Sequence, residues 1–126
     1  LEILLTDTVG FISDLPDDLI SSFRATLEEI NESDILIHIV DSSEPDLDEK
    51  IYSVEETLLK TNLIKHPRII VFNKIDLISE EEIESIKTKY SQPVISSLKS
   101  EGITELRKFI EDFINSNSRK KEAVNI

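Results

Sequence analysis

The chain has 126 residues, enough for one small domain with a buried core. It contains no cysteine, which excludes disulfides and thiolate metal sites, and none of its apolar runs approaches the ~20 residues that a membrane span needs. The formal net charge of −12 opposes non-specific binding to nucleic acid or to anionic lipid, and no secretory signal is visible, so we expect a cytoplasmic protein.

The amino-terminal segment is an apolar run, Ile3 to Leu5, followed closely by Asp7-Thr8-Val9-Gly10. The run predicts a strand, and the motif resembles the Asp-x-x-Gly of GTPase switch regions. In such a motif the carboxylate of Asp7 holds Mg²⁺ through a bound water, and Gly10 lets its backbone N–H approach a terminal phosphate. Phe11 follows, and phenylalanine cannot orient an attacking water by hydrogen bonding. We therefore assign no catalytic residue, although Gly10 and Phe11 belong to this switch segment.

Short apolar runs alternate with helical patterns along the rest of the chain. The runs predict strands, and their lack of polar alternation is typical of strands covered on both faces. Stripes at helical spacing predict the helices between them, and Ser79 with Glu82 predicts a capping box. This order predicts an α/β fold with three layers, a mainly parallel sheet flanked by helices. The further predicted strands are Ile35–Val40, Ile69–Phe72 and Val94–Ile95, and the helical stripes run over 19–30, 47–58, 83–90 and 103–113.

The sequence Asn73-Lys74-Ile75-Asp76 follows the third apolar run directly. Ligands bind beyond the carboxyl ends of parallel strands, and this motif resembles the Asn-Lys-x-Asp with which GTPases bind guanine. Guanine presents its N1 hydrogen and its 2-amino group side by side, and the carboxylate of Asp76 can accept both in a charge-assisted pair. We expect Asn73 to hold the loop and reach the purine. Lys74 should lay its methylene stem along the base, with its ammonium in water.

A second polar segment, Ser96-Ser97-Leu98, follows the fourth run. We expect the backbone N–H of Ser97 to donate to the carbonyl oxygen of guanine, which adenine lacks. Gly102 lies five residues further on, where the loop needs a permissive backbone before the last helix. Taken alone this motif is weak, because a backbone donor tolerates many side chains.

The chain as a whole resembles the HflX-type ribosome-associated GTPases of the translation-factor-related class. The run from Phe23 to Glu29 is the most specific part, because GTPases at large do not share it. The resemblance implies a cytoplasmic GTPase that binds GTP or GDP with Mg²⁺ and acts on the ribosome, through the large subunit, in its full-length form. Its carrying residues are Asp7-Thr8-Val9-Gly10-Phe11-Ile12, Leu15-Pro16, Ser22-Phe23-Arg24-Ala25-Thr26-Leu27-Glu28-Glu29, His38-Ile39-Val40-Asp41-Ser42-Ser43 and Asn73-Lys74-Ile75-Asp76.

The phosphate loop Gly-x-x-x-x-Gly-Lys-Ser/Thr does not occur, since the only glycines are Gly10 and Gly102. The sequence also lacks methionine and opens inside an apolar run, so we expect a fragment: a P-loop GTPase fold lacking its amino-terminal strand-helix unit. Residues 1–115 are then the carboxyl-terminal half of the GTPase domain, and 116–126 a disordered tail. Such a fragment should not hydrolyse GTP by itself. Its open sheet edges predict a homodimer or exchange of segments between copies.

Two other functions remain open at this point. The chain could be a non-enzymatic interaction module, or half-domain, that binds a partner and no nucleotide. It could also be a plain guanine pocket of low affinity. A phosphate loop encoded upstream in the parent gene would favour the GTPase hypothesis over the interaction module. Nucleotide titration tests the guanine pocket of low affinity.

Overall fold

The computed structural model describes residues 3–6 and 24–125, except for the side chains of Thr26 and of residues 118–125. In that part of the chain, helices and parallel strands alternate, which confirms the predicted α/β class. Of the first predicted helical stripe, Leu19 and Phe23 lie outside the described residues. The elements are helices α1 (Arg24–Glu32), α2 (Leu47–Lys60), α3 (Glu80–Tyr90) and α4 (Ile103–Asn125), strands β1 (Leu36–Asp41) and β2 (Arg68–Asn73), and a 3-10 turn at Ile75–Leu77.

The two strands run parallel and are connected by α2. The backbone N–H of Leu36 donates to the carbonyl of Pro67 at 2.9 Å, and that of Ser42 donates to the carbonyl of Asn73 at 3.0 Å. From the first bond to the second, the residue numbers increase on both strands, so the strands run in the same direction. A parallel pair needs a long crossover, and α2 supplies it.

The predicted fourth strand is reduced to a short parallel bridge between Phe72 and Val94. The N–H of Phe72 donates to Pro93 at 2.9 Å, and the N–H of Ile95 donates to Phe72 at 2.8 Å. β2 therefore has a backbone partner on each side. Its side chains at Ile69, Val71 and Phe72 have no solvent exposure, which explains why this run is apolar without alternation.

The predicted strand at Ile3–Leu5 is wrong for the described residues 3–6, which form no regular structure. The side chains of Ile3, Leu4 and Leu5 are 50%, 91% and 77% exposed. An extended apolar run becomes a strand only when another strand pairs with it, and neither β1 nor β2 does so. The apolar composition of the run could not reveal this.

The structure divides into two compact units, and one of them contains residues 24–38 and 44–69. Its core is an apolar cluster between α1, α2 and the loop before β2. The predicted stripe of α2 is buried as expected, at Ile51, Val54 and Leu58. The cluster comprises Ile30, Val54, Leu58 and Leu63, with Leu27 and Leu36 packed against it.

The other unit contains residues 39–43 and 70–125. Here the ring of Phe72 packs on that of Tyr90 at the end of α3, with ring centres 4.7 Å apart. Ser79 caps α3 as predicted, because its Oγ accepts the N–H of Glu82 at 3.1 Å. This unit holds every described residue of the predicted base-reading site.

The last helix, α4, extends to Asn125 and covers most of the 116–126 tail that the sequence predicts to be disordered. Nothing between residues 103 and 126 breaks a helix, since the segment lacks both glycine and proline. Among the described helices, none has the combination of length and hydrophobicity that crossing a bilayer requires.

Candidate functional site

The polar residues that follow β2 and the Val94 bridge lie together in one unit. β2 ends at Asn73, Lys74 adopts the left-handed conformation with φ 64°, and the 3-10 turn then presents Asp76. The 3-10 turn reaches the second loop through the N–H of Ile75, which donates to Ile95 at 3.2 Å. The other predicted site residues, Asp7, Gly10 and Phe11, lie outside the described part of the chain.

The carboxylate of Asp76 is held by one neutral hydrogen bond. Ser96 is fully buried, and its Oγ donates to Asp76 Oδ1 at 2.7 Å. The N–H of Lys99 donates to the same Oγ at 3.2 Å, which directs the serine proton towards the carboxylate. Asp76 forms no ion pair with any described residue. A carboxylate has about four acceptor positions, so both oxygens can still accept from a ligand.

Asn73 connects the two loops through its side-chain amide. Its Oδ1 accepts the N–H of Lys74 at 2.7 Å and the N–H of Ser97 at 3.0 Å. Its Nδ2 donates to Ser97 Oγ at 3.1 Å. The sequence predicts the Ser97 N–H as a free donor for the guanine carbonyl, whereas here it bonds to Asn73. The difference arises because an amide oxygen within reach satisfies that donor inside the protein.

The ammonium of Lys74 lies against a carboxylate rather than in water alone. Its Nζ is 3.0 Å from Oδ2 of Asp41, the last residue of β1, and the Lys74 side chain is 53% exposed. The sequence placed Asp41 at a strand end but assigned it no role. The pairing is invisible in the sequence because the two residues are 33 positions apart, and only the parallel pairing of β1 with β2 makes them neighbours.

Hydrogen bonds lower the pKa of the Asp41 carboxyl group. Donation from the hydroxyl and the N–H of Ser43, followed by the Lys74 ammonium, lowers the pKa of Asp41 from 3.8 to about 2. Because the folded-state pKa is depressed, the stabilisation is complete above the ordinary pKa and disappears as the pH falls through about 2. Asp41 is thus a carboxylate at neutral pH, where its Oδ2 faces the Lys74 ammonium.

A separate groove lies between α3, the Val94 segment and α4. It has a volume of about 520 Å³, and its lining includes the apolar side chains of Ile75, Ile83, Val94 and Phe109. Glu80, Glu101 and Glu105 outnumber Lys87 around it. This excess of acidic side chains repels phosphate, so the groove does not suit a nucleotide, and of the motif at residues 73–76 only Ile75 lines it.

The described residues contain no cluster of three histidine, aspartate or glutamate side chains that could hold a metal ion. The predicted magnesium ligand, Asp7, lies outside them.

Comparison with known proteins places the chain in a GTPase family. Residues 1–74 match the family described as 50S ribosome-binding GTPase. The GTPase HflX of Lacrimispora saccharolytica is 43% identical over 115 residues, 91% of this chain and 27% of that protein. The GTPase HflX of Treponema denticola is 39% identical over 116 residues, 90% of this chain and 30% of that protein. The one from Caldanaerobacter subterraneus is 53% identical over 77 residues, 61% of this chain and 18% of that protein.

The chain thus spans less than a third of the length of these curated relatives. Among solved structures, nucleolar GTP-binding protein 1 from Plasmodium falciparum superposes with a TM-score of 0.55 at 16% identity. The match covers 94% of this chain and 67% of that one. At that identity the likeness concerns the fold alone, and it agrees with the predicted partial P-loop GTPase fold.

Proposed function

Because the chain belongs to the 50S ribosome-binding GTPase family, we propose that residues 73–76 and 96–97 bind the guanine base of GTP or GDP. The observation that carries this proposal is the position of the Asp76 carboxylate and its free acceptor positions. Its carboxylate lies in the 3-10 turn just beyond β2, is oriented by a buried serine hydroxyl, and forms no ion pair among the described residues.

The chemistry of the base explains the selectivity. The N1–H and the 2-amino group of guanine donate to the two oxygens of Asp76, in a charge-assisted pair. Adenine presents an acceptor at N1 and no amino group at C2, so its binding desolvates the carboxylate without replacing the lost water contacts. Ser96 uses one acceptor position on Oδ1 and leaves the other positions of the carboxylate for the base.

The neighbouring side chains complete the pocket. Lys74 lays its methylene stem along the base while its ammonium stays on Asp41. The Ser97 N–H donates to the guanine carbonyl when the Asn73 amide turns from its present bond, or when the two acceptors share that proton.

The remaining parts of the nucleotide call for residues outside the described structure. We propose that Asp7 holds Mg²⁺ through water and that the N–H of Gly10 approaches the terminal phosphate. Phe11 gives no hydrogen bond to an attacking water, so hydrolysis in the full-length protein is slow or needs a partner. That protein acts in the cytoplasm on the ribosome, through the large subunit, and domains beyond this chain make most of the RNA contacts because this chain is acidic.

The chain should bind GDP weakly and selectively, without hydrolysing GTP. This chain contacts the base but has no phosphate-loop N–H groups or lysine to bind the phosphates. We therefore expect a Kd for GDP weaker than about 1 µM. In NMR titrations of the ¹⁵N-labelled chain, GDP should shift the amide signals of residues 73–76 and 96–99, and ADP should not. Single-turnover assays with GTP should release no phosphate above buffer.

Equal shifts with ADP would contradict guanine selectivity, and no shifts with either nucleotide would favour a non-enzymatic interaction module. Turnover comparable to a complete GTPase would contradict the role given to the missing phosphate loop.

We also propose that the isolated chain self-associates, as a homodimer or by exchanging segments between copies. β1 has β2 as its only strand neighbour among the described residues, Ile39 is 54% exposed, and residues 3–5 present exposed apolar side chains. Sedimentation velocity should give a weight-average mass above that of the monomer at about 100 µM. This concentration lies within the micromolar to millimolar range in which unpaired strand edges associate. The Leu4→Ser/Leu5→Ser variant should shift it towards monomer. A wild-type chain that stays monomeric at every concentration would rule this out.

A further inference from the structure

The carboxylate of Asp41 is shared between its own turn and the base-reading loop. Oδ1 accepts the N–H of Ser43 at 3.0 Å and the Oγ of Ser43 at 2.6 Å. Oδ2 accepts the Lys74 ammonium at 3.0 Å. Each oxygen therefore has its own partner. Because Ser43 holds Oδ1 with two hydrogen bonds, it also fixes the direction in which Oδ2 points towards Lys74.

The backbone holds the other end of Lys74. The N–H of Lys74 donates to Asn73 Oδ1, and the carbonyl of Asn73 accepts the N–H of Ser42, next to Asp41. Lys74 itself is left-handed, at φ 64° and ψ 33°. Its main chain and its ammonium are therefore both held, and the stem between them has few alternative paths.

We infer that Asp41 is a positioning residue for the guanine site: it holds the Lys74 stem in place before the base arrives. This inference rests on the proposed function. A free lysine has four rotatable side-chain bonds, and ordering it on binding weakens affinity. With the ammonium on Asp41, much of that ordering exists in the free protein. Ser43 contributes by orienting the carboxylate.

Asp41→Asn separates this role from a local structural one. The asparagine Oδ1 can still accept both bonds from Ser43, so the turn persists, while an amide nitrogen replaces the oxygen that faces Lys74. We expect the Kd for GDP to rise about three- to tenfold, as expected for one side chain that must then be ordered on binding. Glu44→Gln, which removes the same charge three residues away, serves as the matched control. Glu44 pairs with Lys50, which is not a residue of the proposed site.

Lys74→Met supplies the decisive background, because it retains an apolar stem and removes the ammonium. If Asp41 acts through that ammonium, adding Asp41→Asn to Lys74→Met should leave the Kd unchanged. The free protein offers a second measurement: the ammonium signal of Lys74 in ¹H–¹⁵N spectra should be protected from exchange with water in the wild type and in Glu44→Gln, and lost in Asp41→Asn.

The Kd values come from NMR titration with GDP on the whole chain, for the wild type, the three single variants and the double variant. If the wild type binds no GDP, the proposed function fails and this inference fails with it. If the wild type binds GDP but Asp41→Asn binds equally well, or weakens binding equally in the Lys74→Met background, only the positioning role is overturned. An ammonium signal that is unprotected in the wild type would overturn that role as well.

Discussion

Asp76→Asn should invert the base preference of the chain, from guanine to xanthine. The asparagine Oδ1 still accepts the bond from Ser96 and the N1–H of the base. Its amide nitrogen, however, is a donor that faces the 2-amino group of guanine, another donor. Xanthine has a carbonyl at that position and accepts from the amide. Two charge-assisted hydrogen bonds are affected, so affinity for GDP should fall about a hundredfold or more.

The measurement is a pair of NMR titrations, with GDP and with xanthosine diphosphate, on the wild type and on the variant. The ratio of the two Kd values is the result that matters, because it does not depend on how weakly the chain binds phosphate. Glu81→Gln is the matched control, because this substitution also removes one negative charge and Glu81 is exposed in the first turn of α3. A variant that still prefers GDP would show that Asp76 does not contact the base edge.

Gly102→Ala should destabilise the fold by about 2–4 kcal/mol. Gly102 has φ +77°, where a side chain is strained, and an added Cβ would lie 2.4 Å from the carbonyl oxygen of Val94. That oxygen belongs to backbone beside β2, so relief would require movement of the segment that bonds to Phe72. The prediction from sequence that Gly102 needs a permissive backbone is confirmed by this φ.

Urea unfolding followed by circular dichroism measures the change. Ser100→Gly in the same loop is the comparison, because Ser100 is a non-glycine residue at φ 57°. Relief of that strain, offset by the flexibility of glycine in the unfolded chain, should raise the free energy of unfolding by at most about 1 kcal/mol. A Gly102→Ala variant with the wild-type unfolding midpoint would mean that the loop can rearrange without cost.

The central strand and the helices could be predicted because their signals are local. The run Ile69–Phe72 has no polar alternation, and β2 is indeed buried with a backbone partner on each side. α2 and α3 carry apolar stripes and α3 also carries a capping serine, and both helices form where those patterns predict. Helices of this kind depend on hydrogen bonds and side chains close in sequence, whereas the run in β2 is recognisable because burial on both faces requires an uninterrupted apolar sequence.

The first predicted strand fails for the opposite reason. Ile3–Leu5 has the same apolar character as Ile69–Phe72, yet it has no partner strand among the described elements and remains exposed. The sequence also predicts a disordered tail from residue 116, whereas α4 continues to Asn125. A polar segment rich in serine and asparagine is compatible with either state. Composition alone does not distinguish these outcomes.

The order of residues by itself determined the class of fold, the family and the group of side chains that we propose as the guanine site, because motif spacing and strand placement can be read along the chain. Only the tertiary structure decided which polar groups already satisfy one another: Ser96 on Asp76, Ser97 on Asn73, and Asp41 on Lys74. The partners in these pairs are between 20 and 33 positions apart. Hydrogen bonds act over about 3 Å, so contacts between such distant positions exist only once parallel pairing has brought the strand ends together.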